Sequence, residues 1–123
     1  MGKVIHKIIK TEKGEYILRQ FEGVITTEDI MDSFVHILNT NMISKSCKGI
    51  LTDLLNVQLD FNMDTFKNLV IYIKSNPRLL AVKIAVVVDS SDKIVFPMMA
   101  SNEPGLNVQP FSTMIAAENW ILQ

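Results

Sequence analysis

Covalent catalysis needs a nucleophile, a base and an orienting group that meet in space, and the nearest approach to such a set here is His6, His36 and Cys47. His6 falls in a predicted strand and His36 on a predicted helix face, with no motif around either, so both read as surface or edge histidines. Asp32, one turn before His36, is its expected partner. Cys47 precedes Lys48 and Gly49. A neighbouring cation lowers a thiol's pKa, but a small side chain packed in a loop or core is the plainer reading of this position. One cysteine cannot close an internal disulfide, and two well-separated histidines beside it lack metal-ligand spacing. No catalytic residue, metal site or cofactor is expected, and the chain reads as a non-enzyme.

Asp53 is more informative, because it interrupts the apolar run Ile50-Leu51-Thr52-Asp53-Leu54-Leu55. A buried, unpaired carboxylate is costly, so Asp53 must face solvent at the strand's carboxyl end or accept local hydrogen bonds. Together with Asn62, Asp64, Thr65, Ser90 and Ser91 it belongs to the strand-end loops where open α/β sheets place ligands. Helix caps call for the same residue types, and the capping reading stands beside the ligand reading. No glycine-rich phosphate loop precedes a predicted helix, which leaves nucleotide binding without support.

The elements that position these residues follow from periodicity. Val4 to Ile9 and Tyr16 to Phe21 read as a hairpin around Thr11-Glu12-Lys13-Gly14-Glu15, with Gly23 breaking the second strand. Thr26 with Asp29 reads as a capping box for a first helix, Thr27 to Asn39, whose Ile30, Phe34, Ile37 and Leu38 share a face. Ile50 to Leu55 is a short buried strand followed by a loop, Asn56 to Asn62. Asn62 caps a second helix from Met63 to Ser75, stopped by Asn76-Pro77. Phe66, Leu69, Val70, Ile71, Tyr72 and Ile73 cover more of that helix than one sheet can hide, which implies a second contact surface. Val82 to Val88, β-branched and nearly continuous, reads as a central strand. Asp89-Ser90-Ser91-Asp92 then caps a short third helix through Ile94, Val95 and Phe96, limited by Pro97. Leu106 to Phe111 is the last strand, and Ser112 caps a final helix with Ile115, Ala116, Trp120 and Ile121 on one face.

Strands alternating with helices argue for an α/β layer fold with parallel crossovers and an antiparallel edge from the hairpin. At 123 residues a chain buries roughly two-thirds of its unfolded surface, enough for one core without metals or disulfides. Residues 1–123 are expected to form a single domain. With 12 basic against 13 acidic side chains and no basic stripe, the footprint that phosphate backbones require is missing, and nucleic acid is not an expected partner. The apolar stretches fall short of the roughly 20 residues that span a bilayer, and the first ten residues alternate charge with Ile and Val rather than building a signal-peptide core. A cytoplasmic location is expected.

In order and spacing, four segments resemble the SpoIIAA-like and STAS-like group, which is related to anti-sigma-factor antagonists and to a lipid-transfer fold. They are Phe21-Glu22-Gly23-Val24-Ile25-Thr26 leading into the first helix, Gly49 to Leu55 with Asp53 inside, Arg78 to Val87, and the closing Phe111 with Ala117-Glu118-Asn119-Trp120-Ile121. The resemblance spans almost the whole chain. It implies a four- or five-stranded mixed sheet covered by about four helices, in small proteins that bind other proteins or small apolar or phosphorylated ligands. The best-known members of the group are phosphorylated on a serine opening the second helix, within Met-Asp-Ser-Ser-Gly-Leu. This chain reads Met63-Asp64-Thr65-Phe66-Lys67-Asn68-Leu69 there. Thr65 stands for the first serine, whereas Phe66 replaces the second and removes the site if that one is the acceptor.

Ile94-Val95-Phe96-Pro97-Met98-Met99 forms a Met-rich apolar patch near the same rim; methionines fill core gaps and also line adaptable binding surfaces. The leading expectation is a regulatory or protein-interaction module that binds a protein partner or its own copy through the second and third predicted helices. The alternative is a carrier of a small lipophilic ligand, with Phe66, Tyr72, Phe96, Met98 and Met99 lining its pocket.

Overall fold

A computed structural model describes residues 2–123. Strands β1 (Lys3–Thr11) and β2 (Gly14–Thr26) form the expected hairpin, closed at Thr11 opposite Gly14. Gly14 sits at φ 140°, a conformation that side chains disfavour. Gly23 does not end β2. It adopts φ 85° within the strand, beyond a register shift between Gln20 and Glu22, and pairing resumes through Thr26.

Helix α1 (Thr27–Asn39) follows with its capping box in place: Thr26 accepts from the Asp29 amide and Asp29 accepts from the Thr26 amide. Strand β3 (Cys47–Asp60) runs longer than the sequence pattern suggests, because the stretch read as a loop pairs with Glu22 to Thr26 of β2. Helix α2 (Met63–Lys74), a four-residue helix α3 (Pro77–Leu80), strand β4 (Lys83–Val87), helix α4 (Val95–Ser101), strand β5 (Val108–Phe111) and helix α5 (Met114–Leu122) complete the chain. Among the described residues the helices therefore number five rather than about four, Pro77 at the first position of α3 having nucleated an extra turn. Two caps differ from expectation. Ile94 precedes α4 with no side-chain cap bond, and Thr113 rather than Ser112 caps α5, accepting from the Ala116 amide.

The sheet order is β1-β2-β3-β4-β5, antiparallel at the first pair and parallel thereafter. The expected α/β mixed sheet is present, with β3 at its centre and β4 beside it. Each parallel crossover steps the same way along the sheet, so crossovers of one hand must place α1, α2 and α4 on the same face. They bury Ile30, Phe34 and Ile37, Phe66, Leu69 and Ile73, and Ala100 against Ile17, Phe21, Ile50, Leu54, Ile84 and Val86. The opposite face receives α5 alone, through Ala117, Ile121 and Leu122 on Tyr16, Leu18, Leu51, Ala85 and Val87. Ile115 is 75% exposed and leaves the face predicted for it. One nine-residue helix cannot cover five strands, and the β1 end of that face stays open. Among the described residues no helix is long and apolar enough to cross a membrane.

Candidate functional site

The N-terminus of α2 is built as its sequence suggests. Asn62 Oδ1 accepts from the Thr65 amide at 2.9 Å. The Thr65 hydroxyl reaches the Asn62 carbonyl at 3.2 Å and lies 2.5 Å from the hydroxyl of buried Thr27 at the start of α1. Asp64 is exposed in the first turn of α2. Behind this corner Phe96 of α4 packs on Phe66 of α2 at 5.1 Å and on Phe61 at 5.2 Å between ring centres. Lys74, ending α2, pairs with Glu103 just after α4.

Between these helices and the sheet lies a cavity of about 60 Å³. Its lining includes Phe66, Leu69, Ile73, Phe96 and Ala100 from the helices and Leu54, Ile84 and Val86 from the sheet. Arg19 and Thr52 are the polar side chains in it. Arg19 is 2% exposed. Strand alternation puts it between Ile17 and Phe21 on the α1 face. Its Nε donates to Thr52 Oγ1 at 2.7 Å and Nη1 to the Ile30 carbonyl at 3.2 Å. The guanidinium carbon stands 3.8 Å from the Phe34 ring centre and 5.6 Å from that of Phe21. No carboxylate pairs with Arg19 among the described residues, and burial lowers its pKa to about 9.

The predicted site residues do not all converge on this cavity. Tyr72 and Met99 are half-buried against the first core, and Met98 is 47% exposed on the outside of α4. Asp53 lies well inside β3, buried on the α5 face, in a groove with Lys3, Gln20, Glu22 and Asn56. It accepts from Gln20 Nε2 at 3.2 Å and from the Leu55 amide at 2.9 Å. Ser91 is exposed beyond β4, and Ser90 nearby holds a buried hydroxyl with no partner among the described residues. Lys93 closes that rim, donating to the Leu54 and Leu55 carbonyls at 3.2 and 3.4 Å and to Asp89 at 2.9 Å.

No protein-family model matches the chain, and no curated protein matches its sequence. Among solved structures the chain is similar to an uncharacterized protein of the DUF3478 family with a SpoIIAA-like fold from Shewanella loihica PV-4. The TM-score is 0.66, the match covers 98% of this chain and 95% of that one, and the identity is 15%. The fold is SpoIIAA-like.

Within that SpoIIAA-like frame the histidines occupy a second hollow that sequence reasoning missed. β1 lies beside β2 and beneath α1, which brings the His6 and His36 ring centres to 4.5 Å. His6 Nε2 meets Ser33 Oγ at 2.7 Å, while His36 packs on the His6 ring and makes no ion pair with Asp32 among the described residues. The hollow holds about 370 Å³ and is lined by Asp29, Asp32, Ser33 and both histidines, among others. Burial, then His36, then Arg19 lower the His6 pKa to about 4. No cluster of metal-ligating side chains occurs among the described residues. Cys47 is half-buried, and burial raises its pKa, the opposite of an activated thiol.

His6 carried one sequence signal, alternation, since its neighbours Ile5 and Lys7 are exposed. Arg19 carried none, because its neighbour Leu18 is buried on the opposite face of the same strand.

Proposed function

We propose that this chain is a non-catalytic interaction module that binds a protein, a second copy of itself in the simplest case, through the outer surfaces of α2 and α4. The observation behind this is the exposure of four apolar side chains on two helices that touch through Phe66 and Phe96. Met63 is 43%, Ile71 61%, Val95 50% and Met98 47% exposed. The remaining apolar residues of α2 are buried or half-buried, so Met63 and Ile71 are what the sheet leaves uncovered. A formal charge of −1 sets up little repulsion between copies.

The test is light scattering at micromolar concentration on the parent chain and on Ile71→Ser with Met98→Ser. Interface side chains that anchor an association cost more than about 1 kcal/mol each when truncated. The double variant is expected to weaken self-association about ten-fold or more while keeping its cooperative unfolding. A parent that stays strictly monomeric, indistinguishable from the variant, overturns the self-pairing form.

The cavity favours a second reading, a carrier of a small apolar ligand. At about 60 Å³ it is well under the roughly 300 Å³ of a drug-sized site, which restricts this reading to compact ligands.

A further inference from the structure

A guanidinium removed from water keeps its charge at neutral pH and must find compensation nearby. Desolvating an ion costs several kcal/mol even after relaxation. Stacking on Phe34 and Phe21 returns part of this, since a desolvated cation over an aromatic face is worth about 2 kcal/mol. Arg19 has five N–H donors. Thr52 Oγ1 and the Ile30 carbonyl take the only protein bonds it makes among the described residues. The rest have no protein acceptor, and Arg19 lines the cavity. Thr52 accepts from Arg19, which leaves its own O–H to donate. The cavity thus meets a buried cation at one edge of a lining that is otherwise apolar.

We propose that this cavity receives a small organic carboxylate with a short apolar tail, the carboxylate pairing with Arg19 and Thr52 and the tail lying among Phe66, Leu69 and Phe96. The inference rests on the apolar-ligand reading above and adds the sign of the ligand's charge. Guanidinium matches carboxylate as two parallel N–H···O bonds. A lone cation balances a monoanion, whereas a phosphate dianion would be left with uncompensated charge in an apolar lining. Volume sets the size: about 60 Å³ admits roughly four to six water-sized centres, the bulk of butyrate. An anion in contact with Arg19 would also reverse the lowering of its pKa that burial causes.

The experiment follows the Arg19 Nε–Hε resonance and the methyls of Leu69 and Val86 by NMR while the intact chain is titrated with sodium butyrate, n-butanol or sodium chloride. Butyrate is expected to move the Arg19 resonance and the methyls together and saturably, with affinity falling about ten-fold or more in Arg19→Met, the value of a charge-assisted bond. If butanol moves the methyls as strongly as butyrate does and Arg19 stays still, the pairing is overturned while the apolar-ligand reading stands. If chloride reproduces the Arg19 shift and the methyls do not respond, the site takes a bare anion and the proposal fails. No saturable response to any of the three overturns both readings. The measurement is made on the parent chain, so a misfolded Arg19 variant leaves the outcome decided.

Discussion

At His6 the ring is held between β1 and α1, 4.5 Å from the His36 ring and on the Arg19 side of the sheet, and its pKa falls to about 4. An unfolded chain keeps a histidine near its ordinary value of about 6.5. As pH drops through that value the unfolded state takes up the proton first, so folded stability declines between about pH 6.5 and about pH 4 and levels off below. Above about pH 6.5 both states are neutral here and the contribution is complete. The ring is only half-buried, so solvent screening reduces the effect to on the order of 1 kcal/mol. Urea unfolding at pH 7 and pH 4.5 is expected to show a larger loss of midpoint in the parent than in His6→Gln. Equal losses would assign the acid sensitivity to other groups.

Among the elements, β3 and α5 meet at a position where the sequence allows only the smallest residue. A Cβ on Gly49 would stand 2.6 Å from the Lys83 carbonyl oxygen of β4 and 2.9 Å from Ile121 Cγ2 of α5. Backbone cannot yield as a side-chain tip can, so Gly49→Ala is expected to cost about 1–3 kcal/mol, typical of overpacking. Urea titration would read this as a lower midpoint at unchanged slope; an unaltered midpoint would mean that both the β4 backbone and α5 can shift to make room without penalty. Gly49 was legible in the sequence only as the start of an apolar run. What could be read there were patterns set by local rules: the hairpin, both capped helices, and the β-branched β4 all follow from period and punctuation. What could not be read depended on partners distant in sequence. The full length of β3 needs β2 continuing past Gly23, and the departure of Ile115 from the α5 face needs the position of the sheet. Arg19 is the clearest case, for a single charged residue in a strand reads as an outward side chain until a helix is known to cover that face. The candidate site divided the same way. Asn62 and Thr65 were evident from cap chemistry, while Asp53 and the Phe66–Phe96 seam fall on opposite faces of the sheet.

Across the whole molecule the two cores are unequal. β3 and β4 are buried from both sides, by α1, α2 and α4 on one and by α5 on the other, and contribute to both clusters. α4 belongs to one core only. It has seven residues, follows Ile94 with no side-chain cap, and leaves Val95 and Met98 about half exposed. Few buried contacts and an uncapped start place a segment at the low-stability end of a structure. Amide exchange is therefore expected to protect Leu51 and Thr52 in β3 to the level of global unfolding, with Met99 and Ala100 in α4 opening at a free energy several kcal/mol lower. Ala100 and Phe96 wall the cavity beneath, so the same local opening would admit a ligand too large to enter the closed form. If α4 instead exchanges as slowly as β3, the cavity is sealed on that side, and entry must occur through the α2 wall formed by Phe66 and Leu69.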